Sequence, residues 1–283
     1  MTYCQTSQTK GGNIMQKIIL VTGSTDGIGL ETARMLISMG QHVLLHGRNP
    51  SKLKEAETLL SALPGGGRVE RYVADLSRIA DVEALATAVR EQHTKLDVLI
   101  NNAGVYTAPE PVTQDGLDVR FAVNTIAPYL LTQRLLPLLG TSGRVINLSS
   151  AAQSPVDPRA LAGQVRLSDG AAYAQSKLAL TMWSRSMARS LKDKGTTIIA
   201  VNPGSMLGSK MVKDAFGVEG GDIRIGAEIL TRAALSDEFA TASGQYFDND
   251  SGQFASPHPD ALDSRKSQEI VGMIETWLAQ QSV

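Results

Sequence analysis

The stretch "KIILVTGSTDGIGLETARMLISMG", residues 17–40, joins a continuous apolar run to a helical pattern through a glycine-rich turn. The run ending at Gly23 does not alternate with polar residues, which suits a strand buried on both faces. The turn spaces Gly23, Gly27 and Gly29 as G-x-x-x-G-x-G, distinct from the G-x-G-x-x-G of the commoner dinucleotide fingerprint. Glycines let a backbone turn tightly and approach a pyrophosphate, and a helix N-terminus offers free N–H groups to an anion. The alternative is a glycine-rich turn with no ligand. Its place between a strand and a helix favours phosphate binding.

Outward from this unit, the chain repeats the same alternation. "HVLLHG" reads as a second strand and "PSKLKEAETLLSALP" as a helix, with Pro50 in its first turn and Pro64 beyond its end. "GRVERYVADL" is a third strand, Ser77 is placed to cap the helix "RIADVEALATAVREQH", and "LDVLINNAG" is a fourth strand. Residues 115–139 are expected to form one long helix, kinked at Pro128. "GRVINLSS", "TTIIAVNPG" and "GQYFD" are the remaining strands. The tail "LDSRKSQEIVGMIETWLAQQ" sets Ile270, Ile274, Trp277 and Leu278 on one helical stripe. This order predicts an α/β fold: a single-domain, Rossmann-type, doubly wound parallel sheet of about seven strands with helices on both faces. Residues 1–15, polar and aperiodic, read as a disordered extension, and 16–283 as one domain.

The 283 residues suffice for one large α/β domain, and 42% hydrophobic with 19% charged residues is ordinary for a globular protein. A net charge of -1 without a basic block disfavours nucleic acid or anionic membrane as partner. The single cysteine, Cys4, leaves no intrachain disulfide. No apolar run approaches the ~18 residues of a membrane helix, and no signal-peptide core is seen, so a cytoplasmic protein is expected. His42, His46, His93 and His258 are scattered without metal-ligand spacing and read as structural or solvated; no metal is expected.

Chemistry enters at "YAQSK", Tyr173 to Lys177, inside the apolar-periodic stretch 170–191. Positions four apart on a helix share a face, so a phenol and an ammonium can meet at one site. A phenol titrates near ~10, and lowering that by about 3 units takes roughly 4 kcal/mol of differential stabilisation from a neighbouring cation. Such a tyrosine donates a proton to a forming alkoxide or accepts one from an alcohol. At the end of the second strand, "HGRN" carries no acid, and Arg48 follows Gly47. Arg48 is either a solvated loop residue or a guanidinium for a 2′-phosphate, which argues for NADP over NAD. Asp26 in the loop would repel that phosphate, so it is expected to point elsewhere.

Taken together and in order, "TGSTDGIG", "ADL", "NNAG", the Asn in "FAVNTIAPY", "NLSS", "YAQSK" and "NPG" resemble the short-chain dehydrogenase/reductase family from about residue 17 to 280. The resemblance implies NAD(P)-dependent hydride transfer and a homodimer or homotetramer. It implies Tyr173 as catalytic acid/base, Lys177 as the group that binds the nicotinamide ribose and lowers the tyrosine pKa, and Ser150 as the hydroxyl holding substrate oxygen, with Ser149 the alternative. Asn124 matches the asparagine of a water-mediated proton path, or is a helix polar residue bonding the backbone. Asp75 matches the acid facing the adenine amino group. Cofactor contacts are then expected from Gly23, Ser24, Asp26, Gly27, Ile28, Gly29, Arg48, Asp75, Leu76, Asn102, Ala103, Gly104, Tyr173, Lys177, Pro203, Gly204 and Ser209.

Two departures stand out. The serine-to-tyrosine gap is longer than the family's usual dozen or so residues, so residues 153–170 contain an insertion, similar to the retinol-dehydrogenase and protochlorophyllide-reductase-like branch and expected to wall the pocket. After "NPG", Gly208 occupies the place of a common threonine, and Ser209 follows it. Residues 205–217, with Met206, Leu207, Met211, Val212 and Phe216, are either a mobile lid over an apolar pocket or a helix packed on the core or a neighbouring subunit. The reading is an NADP-dependent oxidoreductase acting on a small-molecule carbonyl or alcohol that is hydrophobic. A sugar-nucleotide epimerase or dehydratase, which also pairs Tyr with Lys four later, and a catalytically silent NADP-binding regulator are the alternatives.

Overall fold

A computed structural model describes residues 16–192 and 195–281. The extension read at 1–15, with Cys4, lies outside the described residues. In order, the elements are β1 (Ile18–Val21), α1 (Gly27–Ser38), β2 (His42–Gly47), α2 (Pro50–Ser61), β3 (Arg68–Val73), α3 (Ile79–Gln92), β4 (Val98–Asn101), α4 (Val119–Phe121), α5 (Ala127–Leu139), β5 (Arg144–Leu148), α6 (Pro158–Leu161), α7 (Asp169–Ser190), β6 (Thr197–Asn202), α8 (Lys210–Phe216), α9 (Arg224–Leu235), β7 (Tyr246–Asp248), β8 (Gln253–Ala255), α10 (Pro259–Leu262) and α11 (Ser264–Gln281).

All strands join one sheet of order β3-β2-β1-β4-β5-β6-β7-β8. The first seven strands run parallel, and β8 pairs antiparallel with β7 through Phe247 and Phe254. The eighth strand was not expected; it is three residues long and turns back over the sheet edge. Strand order reverses between β1 and β4, where ligands of such folds bind outside the carboxyl ends. Because strand side chains alternate, β1 sends Leu20 to one core and Ile19 and Val21 to the other. The first core is closed by α3, α5, α7 and α11, the second by α1, α2 and α9. Ile270 and Ile274 of α11 are buried as their stripe predicted. Among the described residues, no helix is long and apolar enough to cross a membrane.

Three local expectations are corrected. The helix read over 115–139 is divided: residues 112 and 118 form an isolated bridge, α4 is short, and a π-turn spans Ala122–Ile126 before α5. Pro128 explains the turn, because it has no N–H for the carbonyl of Asn124, four residues back. The ladder shifts to a five-residue step, with the Ala127 N–H donating to Ala122 O. Ser77 does not cap α3; its N–H and hydroxyl donate to Asp75 Oδ1, while Asp115 accepts from the Ile79 N–H at 3.1 Å. Helix α9, absent from the strand-and-helix reading above, packs along α1 and buries Ile229, Leu230, Ala233 and Ala234.

Candidate active site

The turn between β1 and α1 is tight because glycines occupy its strained and crowded positions. Gly23 and Gly27 have φ of 65° and 54°, where a side chain is strained. A Cβ on Gly29 would stand 2.3 Å from both Gly23 O and Asn102 Nδ2. Asn102 fastens the turn by donating from Nδ2 to Thr22 O (2.8 Å) and Gly23 O (3.1 Å), and the Asn102 and Ala103 N–H groups donate to Thr22 Oγ1. On its other side lies His46, 3% exposed. The Gly23 N–H donates to its Nδ1 at 3.1 Å, and its Nε2 meets Ala74 O at 3.1 Å. Burial lowers the imidazole pKa to about 4.

Asp26 caps α1: its Oδ1 accepts from the Gly27 N–H at 2.7 Å. The following amides, of Ile28 and Gly29, have no intrahelical acceptor and are available to an anion. Arg48 is exposed just past β2 and holds no hydrogen bond or ion pair with another described residue. Asp75 is half-buried and Leu76 buried beside it.

Helix α7 buries Leu178, Leu180, Met182 and Trp183 and begins at a Ser168 cap. It lifts Tyr173 and Lys177 to the carboxyl end of β5. Lys177 is buried and donates to Leu148 O at 2.7 Å, which leaves two of its three donors for a ligand. Desolvation alone lowers its pKa to about 8. Its ammonium stands 5.6 Å from the centroid of the Tyr173 ring. The expected depression of the phenol is not seen in this arrangement. Burial raises the Tyr173 pKa, a hydrogen bond with Ser150 opposes the rise, and Tyr106 adds to it.

The two serines separate clearly. Ser149 is buried and exchanges a 2.7 Å hydrogen bond with Thr181 Oγ1. Ser150 is half-buried and faces the phenol. Its carbonyl accepts from Gln153 Nε2 at 2.8 Å and from the Tyr246 hydroxyl at 3.2 Å. Asn124, in the π-turn, is fully bonded: Oδ1 accepts from the Val105 N–H, and Nδ2 donates to Val105 O and Ser176 Oγ. A Cβ on Gly104 would come within 3.6 Å of Asn124 Oδ1, Lys177 Nζ and Met211 Cε, so this glycine keeps a space open between them. That space, the spare donors of Lys177 and the free amides of α1 together fit a dinucleotide.

Segment 205–217 is not packed as a core helix of its own chain. Helix α8 has no buried residue, although Leu207 before it is 6% exposed and Met206 sits at φ 52°. Ser209 is spent as its cap, accepting from the Val212 N–H. Phe216 is 48% exposed yet 5.2 Å from the Tyr106 ring, which lies 4.9 Å from Tyr173. Pro203 and Gly204 are held by Asn249 Nδ2 and Asn202 Oδ1. Beyond Ala151, a cavity of about 290 Å³ is bounded by Gln153, Tyr246, Asp248, Asp250 and His258. Polar side chains line that cavity, while the rings of Tyr106 and Phe216 stand beside Tyr173. The insertion buries Ala160 and Leu161, and the Asp157 N–H donates to Gln175 Oε1 of α7.

His46, Tyr106 and Arg120 were not singled out from the sequence as site residues. Arg120, 1% exposed, donates to Asp118, to Asp169 Oδ1 in the first turn of α7 (2.6 Å) and to Tyr106 O (3.2 Å). It ties the Tyr106 loop to the start of the tyrosine helix. Among the described residues, no group of three or more His, Cys, Asp or Glu side chains is placed to hold a metal.

Comparison with known proteins shows the family. The short chain dehydrogenase family matches residues 17–217. Human retinol dehydrogenase 13 is 31% identical over 273 residues, 90% of this chain and 82% of that one. Mouse retinol dehydrogenase 12 is 34% identical over 252 residues, 84% and 79% of the two chains. A short chain dehydrogenase from Burkholderia cenocepacia, solved in complex with NADP, superposes with a TM-score of 0.69 at 27% identity, covering 85% of this chain and 99% of that one. The chain belongs to the short-chain dehydrogenase/reductase family and is an oxidoreductase of its retinol-dehydrogenase branch.

Proposed function

We propose that the protein is an NADPH-dependent reductase of hydrophobic aldehydes or ketones, with Tyr173 as proton donor. The observation that carries this reading is the placement of Tyr173 between Ser150 and Tyr106, with Lys177 one turn along the same helix. NADPH, when bound, supplies the hydride. Its phosphates would lie on the free amides of α1, its 2′-phosphate beside Arg48, its adenine toward Asp75 and Leu76, and its nicotinamide ribose within reach of Lys177. Asn102, Ala103 and Gly104, with Pro203, Gly204 and Ser209, would border that path.

Ser150 holds the carbonyl oxygen by a hydrogen bond, and Tyr173 Oη passes its proton to that oxygen as negative charge develops. A phenol raised by burial stays protonated at neutral pH, which is the state that reduction needs. The Lys177 ammonium stabilises the phenolate left behind. Asn124 spends its side chain on Val105 and Ser176, so its part in returning a proton falls to its main-chain carbonyl, which Pro128 leaves without the usual donor. The ring pair Tyr106 and Phe216, with exposed Met206 and Val218 nearby in the chain, supports a hydrophobic substrate.

A homodimer or homotetramer belongs to the same reading, and sizing by light scattering tests it. The activity is tested with NADPH and a panel of hydrophobic aldehydes and ketones. Tyr173→Phe should lose about 10³-fold in turnover while keeping NADPH binding within about 3-fold. Unchanged turnover would remove Tyr173 from the mechanism.

A further inference from the structure

His46 joins two segments that the sequence keeps far apart. Its Nδ1 receives the N–H of Gly23, the first glycine of the phosphate turn, 23 residues earlier. Its Nε2 reaches the carbonyl of Ala74, 28 residues later and directly before Asp75. An N–H can only donate and a carbonyl can only accept, so the two partners select one state: neutral imidazole, bare at Nδ1 and protonated at Nε2. Neither the other tautomer nor the cation satisfies both. The ring is 3% exposed, so each lost bond would leave a buried polar group without a partner. The backbone of His46 is held separately, its N–H donating to Ser24 Oγ and its carbonyl accepting from the Ser24 N–H. Substituting the side chain therefore leaves the strand-to-turn backbone contacts in place.

We propose that His46 is a positioning residue for cofactor binding: its imidazole sets the spacing between the phosphate turn at Gly23 and the adenine-side turn at Asp75. This rests on the cofactor site proposed above. The ring lies on the adenosine side, and the groups that would act on the carbonyl, Ser150, Tyr173 and Lys177, touch neither Gly23 nor Ala74 in the hydrogen bonds described. Its effect should thus fall on dinucleotide affinity and leave the chemical step alone.

The test has two parts. Nitrogen-15 NMR of the whole protein at neutral pH should show His46 neutral, with the proton on Nε2. A cationic ring or a proton on Nδ1 would overturn the proposal without any variant. Fluorescence titration with NADPH then compares wild type, His46→Leu and His46→Gln. Leucine removes both bonds and should weaken binding about 10-fold, with kcat at saturating NADPH within about 2-fold of wild type. The oxygen and nitrogen of a glutamine amide can accept from Gly23 and donate to Ala74, so His46→Gln should bind within about 3-fold of wild type. If His46→Leu fails to fold, the glutamine variant and the tautomer decide; a folded His46→Gln that binds 10-fold more weakly contradicts the proposal. Wild-type affinity in His46→Leu, or a loss confined to kcat, also contradicts it. If wild type binds neither NADPH nor NADH, the cofactor reading itself fails, and the role given to His46 fails with it.

Discussion

The turn at residues 22–29 and the segment at 205–217 meet across the carboxyl edge of the sheet, where Ser209 Cβ lies 3.6 Å from the place a Cβ on Gly27 would take. They are held by different means. The turn is pinned from both sides by buried or half-buried hydrogen bonds, from Asn102, Thr22 and His46. The segment touches the site through rings and a thioether, Phe216 on Tyr106 and Met211 above Gly104, and α8 buries nothing. Directional bonds between fixed partners suit a ligand whose shape does not vary, such as a dinucleotide. Exposed apolar contacts suit a cover that must open and can be replaced without loss of the fold.

The sharpest way to break that comparison is to overfill the pinned side. Gly29→Ala places a methyl group 2.3 Å from two fixed atoms, so the turn must open. We expect NADPH affinity to drop about 100-fold and thermal stability to fall by about 1–3 kcal/mol, read by titration and melting. A folded variant with wild-type affinity would show the turn to be loose.

A second effect comes from pH. Lys177 is a cation below its pKa, and burial has brought that value down to about 8. As pH rises through about 8 the ammonium is lost, so kcat/KM for cofactor should decline by up to about tenfold per unit above that point. A flat profile to pH 10 would mean that the charge on Lys177 is not used.

The smallest effect is expected on the covered side. Phe216→Ala removes a half-exposed ring and should raise KM for a hydrophobic ketone about 3-fold, with stability changed by less than about 0.5 kcal/mol. A large stability loss would make α8 part of the core after all.

Legibility in the sequence followed the range of the interactions. The strands and the Tyr173–Lys177 pair were readable because continuous apolar runs and i,i+4 spacing are local. Asp26 was expected to point away from a 2′-phosphate; its role as the cap of its own helix was not read. The π-turn was not read, because a one-residue slip barely disturbs a helical apolar pattern; only Pro128, four after Asn124, carried a signal. Helix α9 was passed over although Ile229, Leu230 and Ala233 fall on one face, and the three residues of β8 are too short for periodicity. His46 could not be seen to hold the turn, since both its ring partners are more than 20 residues away. Arg120 likewise reaches Asp169 across 49 residues. Spacing brings Lys177 beside the tyrosine ring but does not reveal that burial lifts the phenol.

The most direct measurement is a paired fluorescence titration with NADPH and NADH, on wild type and on Arg48→Ala. Arg48 is exposed and uncommitted, so it is available to a 2′-phosphate. Wild type should bind NADPH at least about 10-fold more tightly than NADH, and Arg48→Ala should erase most of that difference by weakening NADPH alone. Equal or tighter binding of NADH by wild type would contradict the NADPH assignment, and binding of neither would leave the fold without the proposed activity.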